Sequence, residues 1–489
     1  MNVSNRAARE TSVPVFDSAV CAPQHRRTIL WAAILASSMG FIDSSVTAIA
    51  LPAMRNSLHA SLQAAQWFSG AYLLALSALV LAGGALGDRF GTARAFALGI
   101  LLFVLSSLAC ALATSPATLI LARGLQGVAA ALMVPGSMAL IGRAYPRAER
   151  GAALGLWAAA SIATTAAGPV LGGLLLTWNP DLGWRLVFAL NLPLGIVALL
   201  ILRRYALPDR GQPGLPVDIT GAALATLGLG LLAYGFTSPD SGAWLGLGAA
   251  IFAVFLAWQA FTPQPMIRLG MFRNRAFWAI NLATFLLYFA VTGISFYVPM
   301  TAVSAWGSSA LDVTAAFLPV SVMIATLSAP VGRLADRIGA GPLMAAGAAI
   351  VASAEAGLSL TAGWASFWGA CVPLMVLSGF GMALVVAPLT AAVMAAASDA
   401  EQGAASGINN AVARAASLVA VALMGRLAAN AYGPISAQTP GFGLLSTTPA
   451  HIAGTASSFG QIALLAACAS ALSALVAGWG LRTARLRAK

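Results

Sequence analysis

The sequence predicts an all-α integral membrane protein, and three observations carry this prediction. Of the 489 residues, 60% are hydrophobic and only 8% are charged, whereas a soluble domain carries about a quarter charged residues. The apolar residues form long runs, and a run of about 20 is what a helix needs to cross a bilayer. Arginines cluster in the short segments between alternate runs, as they do in cytoplasmic membrane loops.

The sequence also argues against several other classes of protein. The formal net charge of +12 does not indicate nucleic-acid binding, because the basic residues are dispersed among the apolar runs. The four cysteines have no metal-ligand spacing, so neither a zinc site nor a disulfide framework is expected. We find no phosphate-binding loop and no nucleophile–base pair within the apolar runs. The sequence therefore predicts no enzyme, no cofactor and no metal.

Fourteen segments are long and apolar enough to span a membrane, and we number them α1 to α14 in chain order. Their predicted bounds are 28–53, 63–86, 95–113, 117–140, 151–176, 184–204, 217–237, 243–261, 276–302, 311–335, 341–361, 366–395, 402–428 and 459–482. The first run is too long for a cleaved signal peptide. We therefore expect a cytoplasmic tail, residues 1–27, followed by a retained helix.

The placement of arginines predicts the orientation. Arginines occur in the N-terminal tail, in the loops after α2, α4, α6, α8 and α10, and in the C-terminal tail. The opposite side carries only Arg55, Arg185 and Arg426. Because cytoplasmic loops are rich in basic residues, both termini are predicted to be cytoplasmic. The loop after α12 is an exception, with Asp399 and Glu401 and no arginine.

An internal repeat predicts the domain organisation. Gly84-Ala-Leu-Gly-Asp-Arg-Phe-Gly91 follows α2, and Gly332-Arg-Leu-Ala-Asp-Arg-Ile-Gly339 follows α10. Two six-helix groups, α1–α6 and α9–α14, with α7 and α8 between them, explain both positions, and such repeats are how many transporters are built. The predicted domains are a tail (1–27), a six-helix bundle (28–204), a linker with two helices (205–275), a second bundle (276–482) and a basic tail (483–489).

Six motifs, each on a different helix or loop, point to one family. They are Phe41-Ile-Asp-Ser-Ser-Val-Thr-Ala-Ile-Ala-Leu-Pro52 in α1, Asp88-Arg89-x-Gly91, Arg123-Gly-Leu-Gln-Gly127 in α4, Gly168-Pro-Val-Leu-Gly-Gly173 in α5, Trp184-Arg-Leu-Val-Phe-Ala-Leu-Asn-Leu-Pro-Leu-Gly195 in α6 and Gly403-Ala-Ala-Ser-Gly-Ile-Asn-Asn-Ala-Val-Ala-Arg414 in α13. Together they resemble the fourteen-helix drug:proton antiporters of the major facilitator superfamily.

The resemblance implies a fold and a function. The fold would be the major facilitator fold, arranged as 6+2+6 helices in the bacterial inner membrane. The function would be export of a small amphipathic molecule, such as a drug, biocide or metabolite, in exchange for protons. A monomer is expected. A uniporter or importer of a polar solute on the same fold, or a non-transporting membrane sensor, is the alternative.

Asp43 and Arg123 are the predicted proton-coupling residues. Asp43 lies about ten residues, or roughly 15 Å, from the outer end of α1. A carboxylate at this depth is costly unless it is protonated, hydrated or paired, and such residues are functional by default. Arg123 on α4 lies in the same half of the membrane, and the resemblance makes α1 and α4 neighbours. The alternative is a static ion pair that only positions the helices.

The resemblance also implies a cytoplasmic gate and a close helix seam. The gate residues are Gly84, Asp88, Arg89 and Gly91 in the first repeat, and Asp336 and Arg337 in the second. The seam is the antiporter motif of α5, formed by Gly168, Pro169, Gly172 and Gly173. Small residues let helix backbones approach closely, so ordinary packing is the alternative for α5.

Several residues are candidates for the substrate cavity. On α9, steps of three or four place Asn281, Phe285, Tyr288, Thr292 and Phe296 on one face, which suits a flat apolar ligand or ordinary packing. Gln126 is a further candidate. The resemblance adds Trp67 and Tyr72, for which the alternative is that they mark the membrane interface. Two ionisable residues within the spans are also candidates. Glu355 is a second proton site or a trap for cations. Arg414 is a partner for an anionic group of the substrate or a structural residue. Residues 429–458 are expected to form a loose outer loop.

Overall fold

The computed structural model describes residues 20–207, 211–212, 214, 217–238, 241–398, 401–433 and 441–481. Residues 1–19 of the predicted N-terminal tail, Asp399 and the basic C-terminal tail lie outside the described residues. Within the described residues, fourteen helical stretches are long and apolar enough to cross a membrane. The predicted fold class of fourteen membrane-spanning helices is therefore confirmed.

The observed helices keep the predicted numbering, α1 to α14. Their bounds are Pro23–Ser57, Leu62–Phe90, Thr92–Ala111, Pro116–Ala144, Glu149–Trp178, Pro180–Tyr205, Ile219–Thr237, Ser241–Phe261, Arg275–Ser304, Ala310–Ile338, Ala340–Trp364, Phe367–Ala395, Gln402–Tyr432 and Pro449–Gly480. The largest boundary error concerns α14, which begins ten residues earlier than predicted because Pro449 starts the helix at its first position, where proline is well tolerated. The first turns contain polar and small residues, so their hydropathy is too low to indicate the start of a spanning helix.

The two repeated segments form the same turn. Gly91 ends α2 with φ 105° and Gly339 ends α10 with φ 89°. This left-handed backbone region is costly for residues with a Cβ, which explains the glycine at both positions. Each glycine N–H donates a hydrogen bond back to its helix, to the carbonyl of Gly87 at 3.0 Å and of Ala335 at 2.8 Å. The turn reverses the chain within one residue, so α3 and α11 begin at once.

Helix packing repeats along the chain. In the first part, α4 packs against α2 and α3, α1 against α5 and α6, and α3 against α6. In the last part, α12 packs against α10 and α11, α9 against α13 and α14, and α11 against α14. Between these two sets, α2 packs against α13 and α5 against α10. Helices α7 and α8 pack against each other, and α7 also contacts α2 and α13.

Hydrogen bonds join the two sets near the predicted outer ends of the helices. Gln66 at the start of α2 donates to the Val421 carbonyl of α13 at 2.7 Å and to the Tyr297 hydroxyl of α9 at 3.1 Å. Thr314 at the start of α10 donates to the Pro169 carbonyl of α5 at 2.8 Å. The molecule is therefore closed on this side.

The segment between α13 and α14 is packed at Phe442 and Gly443, whereas composition predicts a loose loop throughout; Leu445, Thr447 and Thr448 are exposed. The Phe442 side chain is 2% exposed, and its ring centroid lies 6.0 Å from that of Tyr297. The Arg55 guanidinium, at the outer end of α1, donates a hydrogen bond to the Phe442 carbonyl. Phe442 therefore packs against the predicted outer ends of α1 and α9.

Candidate functional site

Asp43 and Arg123 form a buried ion pair inside the first set of helices. Packing of α1 against α4 brings the two residues together, and Arg123 Nη1 lies 2.6 Å from Asp43 Oδ2. The side chain of Asp43 is 0% exposed and that of Arg123 is 2% exposed. In a place that solvent does not reach, a charge-assisted hydrogen bond of this length lets each charge compensate the other.

A polar network surrounds this pair. Gln126, one helical turn after Arg123, donates to Asp43 Oδ1 at 3.1 Å and accepts from Arg123 Nη1 at 2.6 Å. Its amide also donates to the Ser107 hydroxyl on α3 at 2.8 Å, which accepts a further bond from Asn191 on α6 at 3.2 Å. Both carboxylate oxygens of Asp43 therefore have partners, and the network ties four helices to one acid.

Aromatic groups and a backbone carbonyl hold the rest of the Arg123 side chain. Its Nε donates to the Phe68 carbonyl of α2 at 2.8 Å. Its guanidinium carbon lies 4.6 Å from the ring centroid of Tyr72 and 5.6 Å from that of Phe188. Such cation–π contacts are favourable in a desolvated setting. Any change in the charge of Asp43 would therefore act on α1, α2 and α4 together.

A cavity of about 140 Å³ lies beside the network, between the first set of helices and α13. Tyr72 separates the cavity from Arg123, because it lines the cavity and also lies against the guanidinium. Phe41 of α1 and Trp157 of α5 form an edge-to-face pair in the wall, with ring centroids 6.3 Å apart. The Trp157 indole donates to the Ser37 hydroxyl at 2.9 Å. The cavity lies on the predicted cytoplasmic side, opposite the hydrogen bonds that close the outer ends.

Arg414 and Asn410 form the α13 wall of the cavity. Arg414 is half-buried, and its Nε lies 3.4 Å from Asn410 Oδ1, a long hydrogen bond. A positive charge thus lies in the cavity wall at mid-helix, a position where ionisable residues usually have a functional reason.

The other predicted cavity residues lie elsewhere. Gln126 belongs to the ion-pair network, and the Trp67 indole lies 3.3 Å from the Thr237 hydroxyl of α7. On α9, Asn281 accepts a hydrogen bond from Asn409 at 3.2 Å, and Thr292 lies 2.8 Å from the Ser417 hydroxyl. These contacts place the polar members of the α9 stripe against α13. The aromatic members also pack: Phe285 stacks on Phe289 with 6.5 Å between centroids, and Phe296 and Tyr288 lie in or against the core.

Glu355 lies between α11 and α14, outside the wall of the central cavity. Its Oε2 accepts a hydrogen bond from the Ser470 hydroxyl at 2.6 Å. Its Oε1 is buried and has no hydrogen-bond partner among the described residues. Glu355 thus receives one hydroxyl and lies against no cation among the described residues, and a buried unpaired charge is expensive.

The predicted gate and seam residues occupy helix ends and interfaces. Asp88 and Asp336 are both exposed. The backbone carbonyl of Asp88 accepts a hydrogen bond from the backbone N–H of Gln212 at 2.9 Å. The Arg89 guanidinium lies 5.3 Å from the Phe90 ring centroid, and Arg337 is exposed. A Cβ at Gly84 would make ordinary contact with Pro135.

The α5 motif contacts helices of both sets. A Cβ on Gly168 would lie 2.0 Å from Ser45 Oγ, and one on Gly172 would lie 3.2 Å from Val46, so both glycines admit α1. A Cβ on Gly173 would lie 2.5 Å from Thr314 Oγ1 of α10, and Pro169 supplies the carbonyl that Thr314 bonds. The motif therefore makes two seams, one within the first set and one across the sets.

Sequence reasoning missed several residues of the site. Ser107 and Asn191 complete the network around Gln126, and Ser37, Trp157 and Asn410 line the cavity. A usable signal existed for Asn191 and Asn410, since each is an amide within an apolar span. The serines carried no such signal, because serines elsewhere in these helices simply bond the preceding turn.

Comparisons with known proteins agree with this architecture. A family model described as the Major Facilitator Superfamily matches residues 33–421. The tetracenomycin C resistance and export protein of Streptomyces glaucescens is 31% identical over 430 residues, which cover 83% of this chain and 77% of that protein. The multidrug resistance protein Stp of Mycobacterium tuberculosis is 31% identical over 412 residues, 81% of this chain and 75% of Stp.

A solved structure shows the same fold. A bacterial homologue of the human lysosomal transporter Spinster, in an inward-facing and unoccupied conformation, matches with a TM-score of 0.70 at 18% identity. The match covers 94% of this chain and 97% of the other. Together with fourteen spanning helices, these findings establish that the chain belongs to the Major Facilitator Superfamily and is a multi-pass transporter of the bacterial inner membrane.

Proposed function

We propose that the protein exports a small amphipathic molecule in exchange for protons, and that Asp43 carries the proton. The observation that carries the proposal is the buried ion pair between Asp43 and Arg123, next to a cavity and separated from it by Tyr72. An acid at this depth with one cationic partner has two stable states, paired when ionised and unpaired when protonated.

The two-bundle arrangement supplies the motion. We propose that α1–α6 and α9–α14 are the moving bundles, with α7 and α8 as an insertion and both termini in the cytoplasm. The matching helix pairs in the two sets support this division. The bonds of Gln66 and Thr314 across the outer seam, together with a cavity on the opposite side, are the features expected of an inward-facing state.

Protonation of Asp43 would couple to this motion through its partners. A neutral carboxylic acid no longer attracts the Arg123 guanidinium as a charge. Among the described residues, Arg123 is then held by Gln126, by the Phe68 carbonyl and by the Tyr72 and Phe188 rings. Because Tyr72 lines the cavity, a shift of Arg123 changes the cavity wall. Loss of the proton to the cytoplasm would restore the pair.

The relatives support export as the direction of transport. One similar protein is described as a tetracenomycin C resistance and export protein and another as a multidrug resistance protein. We carry over from them the class of function, export of a small molecule. The particular substrate of this chain is a separate question.

Transport by purified protein in liposomes tests the proposal. A panel of amphipathic dyes of positive, negative and zero charge is offered with and without an imposed pH gradient, beside Asp43→Asn. We expect gradient-driven transport to fall at least tenfold in the variant, while counterflow of labelled against unlabelled dye continues. Glu149→Gln is the control, because Glu149 is an exposed acid whose ion pair with Arg26 is long, at 3.6 Å.

Each outcome has a clear consequence. Undiminished gradient-driven transport in Asp43→Asn contradicts the coupling role of Asp43. Accumulation of dye in the direction opposite to export favours an importer, and flux that ignores the gradient favours a uniporter. Binding of dye without any flux favours a sensor. If Asp43→Asn lacks counterflow, the double variant with Arg123→Gln, which leaves no unmatched charge, replaces it in the assay.

A further inference from the structure

The wall of this cavity carries a positive charge, and none of the wall residues that the structure describes neutralises it. The wall residues come from α1 to α5 and from α13, and none of the described ones is acidic. Arg123 lies nearby, but Asp43 already matches its charge at 2.6 Å. The only hydrogen bond of Arg414 found among the described residues is the long one to Asn410. A guanidinium inside a membrane protein without a matching anion is costly.

We propose that this cavity binds an aromatic anion, a carboxylate or phenolate, and that Arg414 is its counter-ion. The proposal rests on the function proposed above, because it names the substrate class of the same site. It departs from the expectation of a flat apolar ligand, because it gives the ligand a negative charge. A cation in this cavity would face Arg414 with no acid in the described wall to offset the repulsion.

The remaining wall suits the apolar part of such a ligand. Phe41, Tyr72 and Trp157 present aromatic surface. The hydroxyls of Ser44 and Ser137 also line the cavity, but they already donate to the Phe41 and Val134 carbonyls. A guanidinium binds a carboxylate through two parallel N–H donors, which fixes the orientation of the ligand as well as its charge. The acid group would therefore point to α13 and the ring to α1 and α5.

The size of the cavity limits the ligand. Its volume of about 140 Å³ is below the roughly 300–1,000 Å³ of pockets that enclose drug-sized molecules. In this state it holds a one-ring or two-ring acid, or the acid end of a larger molecule. A two-ring acid is thus a suitable probe.

Charge balance gives the proposal a transport signature. A monovalent anion carries one negative charge out, and the proton carries one positive charge in. Each cycle therefore moves net positive charge inward, and an inside-negative membrane potential accelerates it. Export of a neutral analogue moves only the charge of the proton, so its rate responds less.

Binding to the purified full-length protein in detergent tests the proposal without relying on proton coupling. The probes are 2-naphthoate, neutral 2-naphthylmethanol and cationic 2-naphthylmethylamine, which share one ring system. We expect wild-type protein to prefer the naphthoate. Arg414→Gln should weaken naphthoate binding about tenfold and leave binding of the alcohol unchanged, whereas Arg414→Lys should recover part of the loss. Arg426→Gln is the matched control, because Arg426 lies on the same helix but donates to the Gly235 and Ser238 carbonyls near α7.

The outcomes separate this proposal from the function proposed above. Tighter binding of the amine than of the acid, no binding of the acid, or equal loss of all three probes in Arg414→Gln contradicts the anion site. Asp43→Asn should still bind naphthoate. Naphthoate binding with no proton-driven flux would support the anion site and contradict the exporter proposal. Proton-driven flux of cationic dyes alone would support the exporter proposal and contradict the anion site.

Discussion

At the scale of single residues, Asp43 and Arg123 depend on each other. Both charges are buried, and Gln126 bonds to each of them. Removing one partner leaves the other as an unmatched charge, which costs about 3–5 kcal/mol. Arg123 cannot relieve this by losing its proton, whereas an acid can become neutral by gaining one. Loss of Asp43 should therefore be the more damaging of the two changes.

A double-mutant cycle tests this dependence. We expect Asp43→Asn to lower the thermal unfolding midpoint in detergent, and the double variant Asp43→Asn with Arg123→Gln to unfold at a higher temperature than Asp43→Asn alone. The coupling should exceed about 1 kcal/mol. The surface pair of Arg26, which is partly exposed, and Glu149, which is exposed, gives the comparison cycle. Their charged groups lie 3.6 Å apart, and we expect a coupling of at most about 1 kcal/mol. Additive losses at Asp43 and Arg123 would show that the pair does not act as a unit.

At the scale of elements, α5 determines how closely the two sets of helices meet on the predicted outer side. Gly173 leaves no room for a Cβ against Thr314 of α10, and the Thr314 hydroxyl bonds the Pro169 carbonyl at 2.8 Å. A larger side chain at Gly173 must push α10 away. Because this seam lies at the predicted outer end, the change should favour a state open to the outside.

Spin labels across the seam measure this effect. Cys468, the exposed free cysteine among the described residues, is first replaced by serine. Labels at Trp178→Cys and Leu311→Cys, both exposed positions, then report the distance between α5 and α10. Gly173→Leu should shift the distance distribution to longer values, because overpacking costs about 1–3 kcal/mol, enough to change a population ratio about tenfold. Gly155→Leu is the control, since a Cβ there meets nothing within 4 Å. An unchanged distribution in Gly173→Leu would contradict a tight outer seam.

At the scale of the whole molecule, the acidic loop after α12 tests the orientation. The structure pairs Glu401 in this loop with Arg268 in the linker before α9, with Oε1 and Nη1 3.5 Å apart. The Asn274 amide, also before α9, donates to the Ala396 carbonyl at 2.9 Å. A hydrogen bond from the Ser398 hydroxyl, with the charge of Arg268, lowers the pKa of the Glu401 carboxyl. The loop thus lies beside an arginine-containing segment, which explains how it can be cytoplasmic without arginine of its own.

Reporter fusions test this placement. Alkaline phosphatase joined after residue 397 should be inactive, because it stays in the cytoplasm, and the same enzyme joined after residue 441 should be active. Green fluorescent protein joined after residue 489 should fluoresce. Activity of the phosphatase at residue 397 would mean that the arginine rule fails at this loop and that the count or orientation of the last helices is wrong.

The site shows how far sequence reasoning reached. Asp43 and Arg123 were identified because charged residues inside apolar runs are rare, and the structure places them in contact. Glu355 was equally conspicuous, yet it lies against Ser470 in another part of the molecule. The α9 stripe was periodic, yet its polar residues bond α13. Periodicity shows which residues share a face, but only packing shows what that face meets.

The sequence by itself determined the number of spanning helices, the family and the repeated turn. These features depend on local quantities: the length of apolar runs, the charges at their ends, and glycine where the backbone needs positive φ. Only the tertiary structure decided which of the buried charges are matched. Arg123 and Arg414 look alike in sequence, each an arginine within a helix, but one lies against Asp43 and the other in a cavity wall. Electrostatic energy depends on distance in space and on burial, and neither is contained in the spacing of residues along the chain.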